Sequence, residues 1–375
     1  MEHESYIDKA SFVKHDYERF VIVADVDGEH TCVAVMGIRP SIPSTQSLSQ
    51  SYSIIFKRKF FTKDIVKVHN IINDALACAY NDYGIEIGRA VIAAAGPVSR
   101  KRGYIKLTNI DLEVNAQEIL DHSLLRKVIL LNDFEAIGYG LETIDKSKDV
   151  MPIEHVGEDM TAPDDISNTY AVIGAGSGLG MSIAYNDKAK HIHVPLPSEG
   201  GHTNFAPQSM LEFELLQYLK ENVMTRKSAH PELERVLSGK GIINIYNFLR
   251  SKRLYEETQV TRRIDSLSGD DKLSEIESNA NDMTCKKTME LFVLFYARAA
   301  RNLALMSQCY SGLLIIAGRM IIYPEYFTDG AFMQEFELHD ERTDVLRKIP
   351  VYLVKNQDIG LYGCCNVAIN FYNMM

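Results

Sequence analysis

Between residues 169 and 207 the chain reads TYAVIGAGSGLGMSIAYNDKAKHIHVPLPSEGGHTNFAP, and two groups of residues there could do chemistry. Gly174, Gly176, Gly178 and Gly180 recur at every second position between two apolar runs. Without Cβ atoms, such a turn lets a ligand approach the backbone. Its successive N–H groups form a concave nest polarised for an anion. Ser198-Glu199-Gly200-Gly201-His202 then sets a carboxylate and an imidazole close together, a pair suited to a polar small molecule. The segment reads as the place where a nucleotide phosphate meets an acceptor. Two other phosphate motifs are excluded. No Lys follows the glycines as a Walker A loop requires, and a strand follows where a dinucleotide fingerprint needs a helix. The plain alternative is a hairpin with permissive glycines, although most hairpins use only one or two.

The elements that must hold these residues follow from the apolar patterning. A strand at 20–26 breaks at Asp25-Val26-Asp27-Gly28-Glu29-His30 and resumes at 31–38, and a third strand spans 54–61. Helical spacing runs over 62–83, with Gly84 as its stop. Strands follow at 89–98 and 104–108, and a helix at 115–122. A strand at 127–131 delivers Asn132-Asp133-Phe134-Glu135 into a helix ending near 141. Residues 1–18 read as a polar arm or short helix, and 142–168 as an acidic loop. After the glycine stretch, Ser209 and Glu212 have capping-box spacing, and a further helix spans 242–250. Residues 251–283 are highly charged and read as one helix between solvated loops. Residues 284–308 form a long apolar helix, the core of a second domain. A strand at 312–317 ends in Gly318, the last strand is 349–355, and a terminal helix starts at Gly360. On residue type alone, Asp133 reads as a helix N-cap and Glu234 as an exposed helix charge, and a satisfied core histidine is open for His202.

Each half of this order begins strand, turn, strand, and then adds a strand, a helix and further alternation. That internal symmetry predicts an α/β fold of two ribonuclease H-like (actin-like ATPase) α/β domains flanking an active-site cleft. The expected small domain is 1–143 plus 357–375, and the large one 144–356. At 375 residues the chain is long enough for two or three domains. Its net charge of −10, with no basic stripe, argues against a nucleic-acid partner. Six scattered cysteines without a C-x-x-C pair argue against a metal knuckle or a disulfide framework. A charged start without an apolar signal core and the lack of a long apolar run predict a cytoplasmic protein with no membrane partner.

Several stretches together resemble the bacterial-type ATP-dependent glucokinase family: LLNDFEA (130–136), GAGSGLG (174–180), PSEGGHTNFAP (197–207) and ERVLSGKG (234–241). Weaker likeness lies in AAGPVS (94–99), LTN (107–109), IPVYLV (349–354) and GLYG (360–363). The related ROK group follows its E-x-G-H element with a zinc-binding cysteine cluster. No cysteine lies between Cys78 and Cys285 here. The resemblance implies Mg-ATP and D-glucose as substrates and glucose 6-phosphate as product. It makes Asp133 the general base for the sugar 6-hydroxyl, and Asn132, Asp133, Glu199, His202, Glu234 and Asn109 the glucose contacts. It puts the nucleotide against Asp25, Gly28, Gly174, Gly176, Ser177, Gly178 and Gly318, with Mg²⁺ near Asp25 through water. A homodimer and closure of the domains on sugar also belong to this expectation.

Three positions depart from the family's pattern. Its first phosphate turn, approximately D-x-G-G-T, is here Asp25-Val26-Asp27-Gly28-Glu29. Two added carboxylates beside a triphosphate repel it by about 4 kcal/mol per pair at ~4 Å, unless they face away or meet the metal. Arg319 replaces the second glycine of the turn expected near adenosine, and Leu112 replaces an aromatic. These departures motivate a second reading, a catalytically impaired sugar-binding or regulatory protein on the same fold. A third, an actin-like ATPase without a sugar substrate, is opposed by Glu199, His202 and Glu234.

Overall fold

The computed structural model describes residues 2–7, 12–40, 52–99, 103–108, 110–156, 168–188, 192–226, 229–318 and 323–370. The chain divides into two units, one of residues 1–150, 184–197 and 356–375, the other of 151–183 and 198–355. Relative to the expected boundaries, 144–150, 184–197 and Asn356 go with the first unit. The second of these segments carries His193, whose Nδ1 lies 2.7 Å from Glu142 Oε2.

The first unit is built on β1 (Glu2–Ile7), β2 (Arg19–Val26), β3 (His30–Ile38), β4 (Tyr52–Phe61), α1 (Val68–Tyr83) and β5 (Arg89–Ala94). A small sheet of β6 (Val98–Ser99), β7 (Tyr104–Lys106) and β8 (Glu113–Asn115) follows. Then come α2 (Ala116–Asp121), β9 (Lys127–Asn132) and α3 (Asp133–Gly140). The main sheet has the order β1-β4-β3-β2-β5-β9. β2, β3 and β4 are antiparallel neighbours, and β5 and β9 continue the sheet in parallel with β2. Val21 to Ala24 on β2 are buried on both faces. That explains why its sequence is a continuous apolar run and not an alternating one. Helix α1 lays Val68, Ile71, Ile72, Ala75 and Ala79 on one side of the sheet, and stops at Gly84 in the left-handed conformation. The C-terminal helix (Ile359–Asn370) packs Leu361, Cys364, Cys365 and Val367 on the other.

A second six-stranded sheet repeats the plan. Its strands are β10 (Val150–Ile153), β11 (Thr169–Ala175), β12 (Leu179–Asp187), β13 (Ile192–Leu196), β14 (Gly312–Ile316) and β15 (Val351–Val354). Their order is β10-β15-β14-β11-β12-β13, with β14 parallel to β11 and to β15. From the far strand inward, β13-β12-β11-β14-β15 matches β4-β3-β2-β5-β9 position for position. This is the duplicated ribonuclease H-like arrangement read from the sequence. Five helices, α4 (Met210–Asn222), α5 (Gly239–Lys252), α6 (Gln259–Asp265), α7 (Gly269–Ser278) and α8 (Met283–Ser307), carry most of the remaining core. Helix α8 buries Phe292, Phe295, Tyr296, Ala300 and Leu303, so it is a core helix as expected. The hydroxyl of Tyr296 sits 3.1 Å from the Ile173 carbonyl and 3.3 Å from that of Ile316. It thereby holds the ends of β11 and β14 just before the glycine turn.

Four local expectations need correction. The polar start is not an arm throughout: residues 2–7 form a strand paired with β4. The stretch 142–168 contains strand β10. Residues 251–283 hold two helices, because Thr258 forms a capping box with Thr261 and opens α6 separately from α7. At Ser209 only half of the predicted capping box forms. Ser209 Oγ accepts from Glu212 N–H, but the Glu212 carboxylate accepts from Gln208 N–H and from Arg298. Among the described residues, no helix is long and apolar enough to cross a membrane.

Candidate active site

In the first unit, chemistry gathers where β2, β9 and the C-terminal helix present their ends. Strand β9 stops because Asn132 caps α3: its Oδ1 accepts from the N–H groups of Phe134 (3.0 Å) and Glu135 (3.3 Å). Its Nδ2 donates to the Gly96 carbonyl at 3.2 Å. The cap expected of Asp133 therefore belongs to its neighbour, and Asp133 begins the helix half-buried. Burial pushes the Asp133 carboxyl up to about 6, and the charge of Asp27 adds to this. The Phe134 N–H and the Asn132 amide partly offset the rise. A carboxyl so placed is poised to take a proton near neutral pH.

Asp25 lies one residue before the end of β2, opposite Cys32 on β3. Burial pushes its carboxyl well above the ordinary range, and the charges of Asp27, Asp133 and Asp358 push it further. Its Oδ1 is buried with no hydrogen-bond partner among the described residues. An orphaned hard oxygen among mutually repelling carboxylates fits a divalent cation. Among the described residues no three His, Cys, Asp or Glu side chains cluster as a closed metal site. Of the added acids of the first turn, Asp27 folds back onto the turn itself. Asp27 Oδ1 accepts from Glu29 N–H (2.6 Å) and His30 N–H (2.7 Å), and Glu29 Oε1 lies 3.8 Å from His30 Nδ1. Gly28 sits within this turn.

In the second unit the glycine turn joins β11 to β12. Gly174 is in β11, and Gly176 N–H donates to the Gly178 carbonyl at 2.8 Å. The Gly176 carbonyl accepts from Gly239 N–H at 2.9 Å, so the start of α5 holds the turn from behind. Gly176 is exposed, with open space where a Cβ would be, and Ser177 is half-buried beside it. Gly318 follows β14 at φ 52°, and a Cβ there would lie 3.1 Å from the Ala175 carbonyl oxygen. Both the left-handed conformation and the close approach select glycine.

The carboxylate–imidazole group is stitched to the same turn. At Gly201 an added Cβ would overlap the Leu179 carbonyl oxygen, so only glycine lets the segment Gly200–His202 lie against β12. Backbone bonds Phe205 N–H to Pro231 O and Leu233 N–H to Thr203 O, both 2.8 Å, join this segment to residues 231–235. Glu234 Oε2 accepts from Leu179 N–H at 2.9 Å, which ties the expected sugar ligand to the end of the glycine turn. His202 Nδ1 lies 2.9 Å from Glu232 Oε2, and His202 Nε2 lies 3.7 Å from Glu199 Oε2. In the sequence, only the position of Glu232 two residues before Glu234 in ELER hints at this role. Burial opposes the His202 charge, but the Glu232 hydrogen bond and the charges of Glu232, Glu234 and Glu199 outweigh it and raise the imidazole. Arg235 pairs with Glu232 Oε1 at 2.6 Å.

Each unit thus presents its own set of predicted residues: Asp25, Gly28, Asn132 and Asp133 in the first, and Gly174 to Gly178, Glu199, His202, Glu234 and Gly318 in the second. Asn109 and Arg319 lie outside the described residues.

With these sets in view, the comparisons with known proteins are specific. A family model described as Glucokinase matches residues 22–370. The glucokinase of Synechocystis sp. is 30% identical over 362 residues, covering 92% of this chain and 97% of that protein. That of Nostoc sp. is 31% identical over 292 residues, covering 75% and 81%. The solved glucokinase from Balamuthia mandrillaris in complex with glucose aligns with a TM-score of 0.73 at 20% identity, over 93% of each chain. At that identity the likeness speaks to the fold.

Proposed function

The chain belongs to the glucokinase family and is an ATP-dependent hexose kinase, and from this premise we propose that Asp133 is the base of glucose 6-phosphorylation. The observation that carries the reading is the division of labour at β9. Asn132 takes the capping role, and Asp133 is left at the strand end with a carboxyl near 6. In this reading Asp133 accepts the 6-hydroxyl proton as that oxygen attacks the γ-phosphorus in line. The bond to the ADP oxygen then breaks, and the reaction depends mainly on positioning and charge neutralisation. Glu199, His202 and Glu234 read the sugar hydroxyls, with Glu232 fixing the His202 ring so that Nε2 faces the ligand. Asn109 is proposed beside them. A buried partner left unmatched costs about 1–3 kcal/mol, which is how such a set selects one hydroxyl pattern.

The nucleotide is assigned to Asp25, Gly28, Gly174, Gly176, Ser177, Gly178 and Gly318, with the glycine-turn N–H groups facing its phosphates. Mg²⁺ at Asp25, held largely through water, would neutralise charge on the transferred group. The same reading makes the protein a cytoplasmic homodimer that supplies glucose 6-phosphate to glycolysis, and its mass in sedimentation tests the dimer. A coupled assay for glucose 6-phosphate with Mg-ATP tests the function. Turnover should require both substrates and fall by about 10²–10⁴ in Asp133→Ala, whereas glucose binding without turnover in the unaltered protein would transfer the reading to a sugar-binding protein.

A further inference from the structure

The hairpin turn between β2 and β3 uses its own side chain as an anion. A tight turn of this kind offers outward N–H groups in which a phosphate oxygen can sit. Here those of Glu29 and His30 both point at Asp27 Oδ1, at 2.6 and 2.7 Å. The Asp27 N–H closes the turn on the His30 carbonyl at 3.0 Å. Hydrogen bonds from N–H groups to a carboxylate oxygen are stronger than those between neutral groups. Any phosphate approaching this turn therefore meets filled donors and an added negative charge.

We propose that Asp27 is an internal competitor for the nucleotide's phosphates: its carboxylate occupies the donors of the first turn and sets the affinity of the enzyme for Mg-nucleotide. The proposal rests on the reading that this turn faces the nucleotide. Asp27 reaches donors only two and three residues away. Its release would require one side-chain rotation and no movement of the sheet. Nucleotide binding is then an exchange of one anion for another, favoured when Mg²⁺ accompanies the phosphates and screens the neighbouring carboxylates.

The test is calorimetric titration of Mg-AMPPNP, with glucose present, into the full-length protein and the variants Asp27→Gly, Asp27→Asn and Asp25→Asn. Asp27→Gly should tighten binding about tenfold or more. Asp27→Asn keeps an acceptor oxygen but drops the charge, and should tighten it by a smaller factor. In backbone amide spectra, the Glu29 and His30 N–H signals should shift with nucleotide more strongly in Asp27→Gly than in the unaltered protein. If thermal unfolding shows that the glycine variant does not fold, Asp27→Asn alone decides. Unchanged or weaker binding in the folded variants, with Asp25→Asn still weakening it, would overturn the competitor and leave the nucleotide assignment standing. No effect from any of the three substitutions would overturn both.

Discussion

Two hairpin turns occupy the same place in the duplicated sheets, and they are stabilised in opposite ways. In the first, the carboxylate that meets the turn's N–H groups is Asp27, from within the turn. In the second, the carboxylate that meets Leu179 N–H is Glu234, 55 residues away, and Gly239 secures the same turn from the start of α5. The acids around the first turn repel one another, and burial and mutual charge hold Asp25 and Asp133 high. The acids around the second are matched, with His202 and Arg235 both against Glu232. On the proposed reading Asp133 carries reactivity and Glu199, His202 and Glu234 carry sugar recognition, so substitution of the first should fall on kcat and substitutions around the others on KM for glucose.

The largest expected effect is that of Asp133→Ala. Loss of a positioned base costs about 10²–10⁴ in rate. Glucose affinity measured by calorimetry should change far less. A variant that lost glucose binding and turnover equally would break the assignment of reactivity to Asp133. The pH profile sharpens it further. The base acts when deprotonated, so kcat/KM should fall tenfold per unit as pH drops below about 6. Stability should move the other way. A folded carboxyl held above its unfolded value loses stability as pH rises from about 4 to about 6. Asp133→Asn should therefore stabilise the neutral protein by something of order 1 kcal/mol, read in urea unfolding. An activity limb centred near the ordinary carboxylate range would sink this account.

Much of this layout was legible because strand–turn–strand order and glycine spacing are local signals. The three antiparallel strands, the buried run of β2 and the glycine turn between β11 and β12 all read directly from apolar patterning. What escaped depended on distant partners. EHESYI lacks an apolar run, and it becomes a strand only because β4 offers an open edge. Asn132 and Asp133 are both competent caps, and only the Gly96 carbonyl facing the amide decides between them. Whether Asp27 repels a phosphate or turns inward is a rotamer choice. Glu232 gains its role from a ring thirty residues earlier in the chain.

In the second unit the first variant to make is Gly201→Ala. Its Cβ would overlap the Leu179 carbonyl oxygen, so either the Gly200–His202 segment or β12 must shift, at a cost of about 1–3 kcal/mol. Because the segment carries both Glu199 and His202, KM for glucose should rise together with the loss of stability. If this division of roles holds, kcat at saturating glucose should stay within a fewfold of the unaltered enzyme. A collapse of kcat at saturation would show that recognition and reactivity are not divided as proposed.

Glu232→Gln separates recognition from packing, since it preserves shape while removing the charge beside His202. Glu232 now draws the imidazole upward together with Glu234 and Glu199, so the substitution should lower the pH at which His202 loses its proton. With His202 and its partner both partly exposed, solvent screens the pair, and KM for glucose should rise only about threefold to tenfold, kcat being nearly unchanged. Imidazole proton shifts measured across pH would follow the ring directly. An unaltered His202 titration would mean that Glu232 merely supports the 231–235 segment, and that the ring is oriented by Glu199 and the sugar alone.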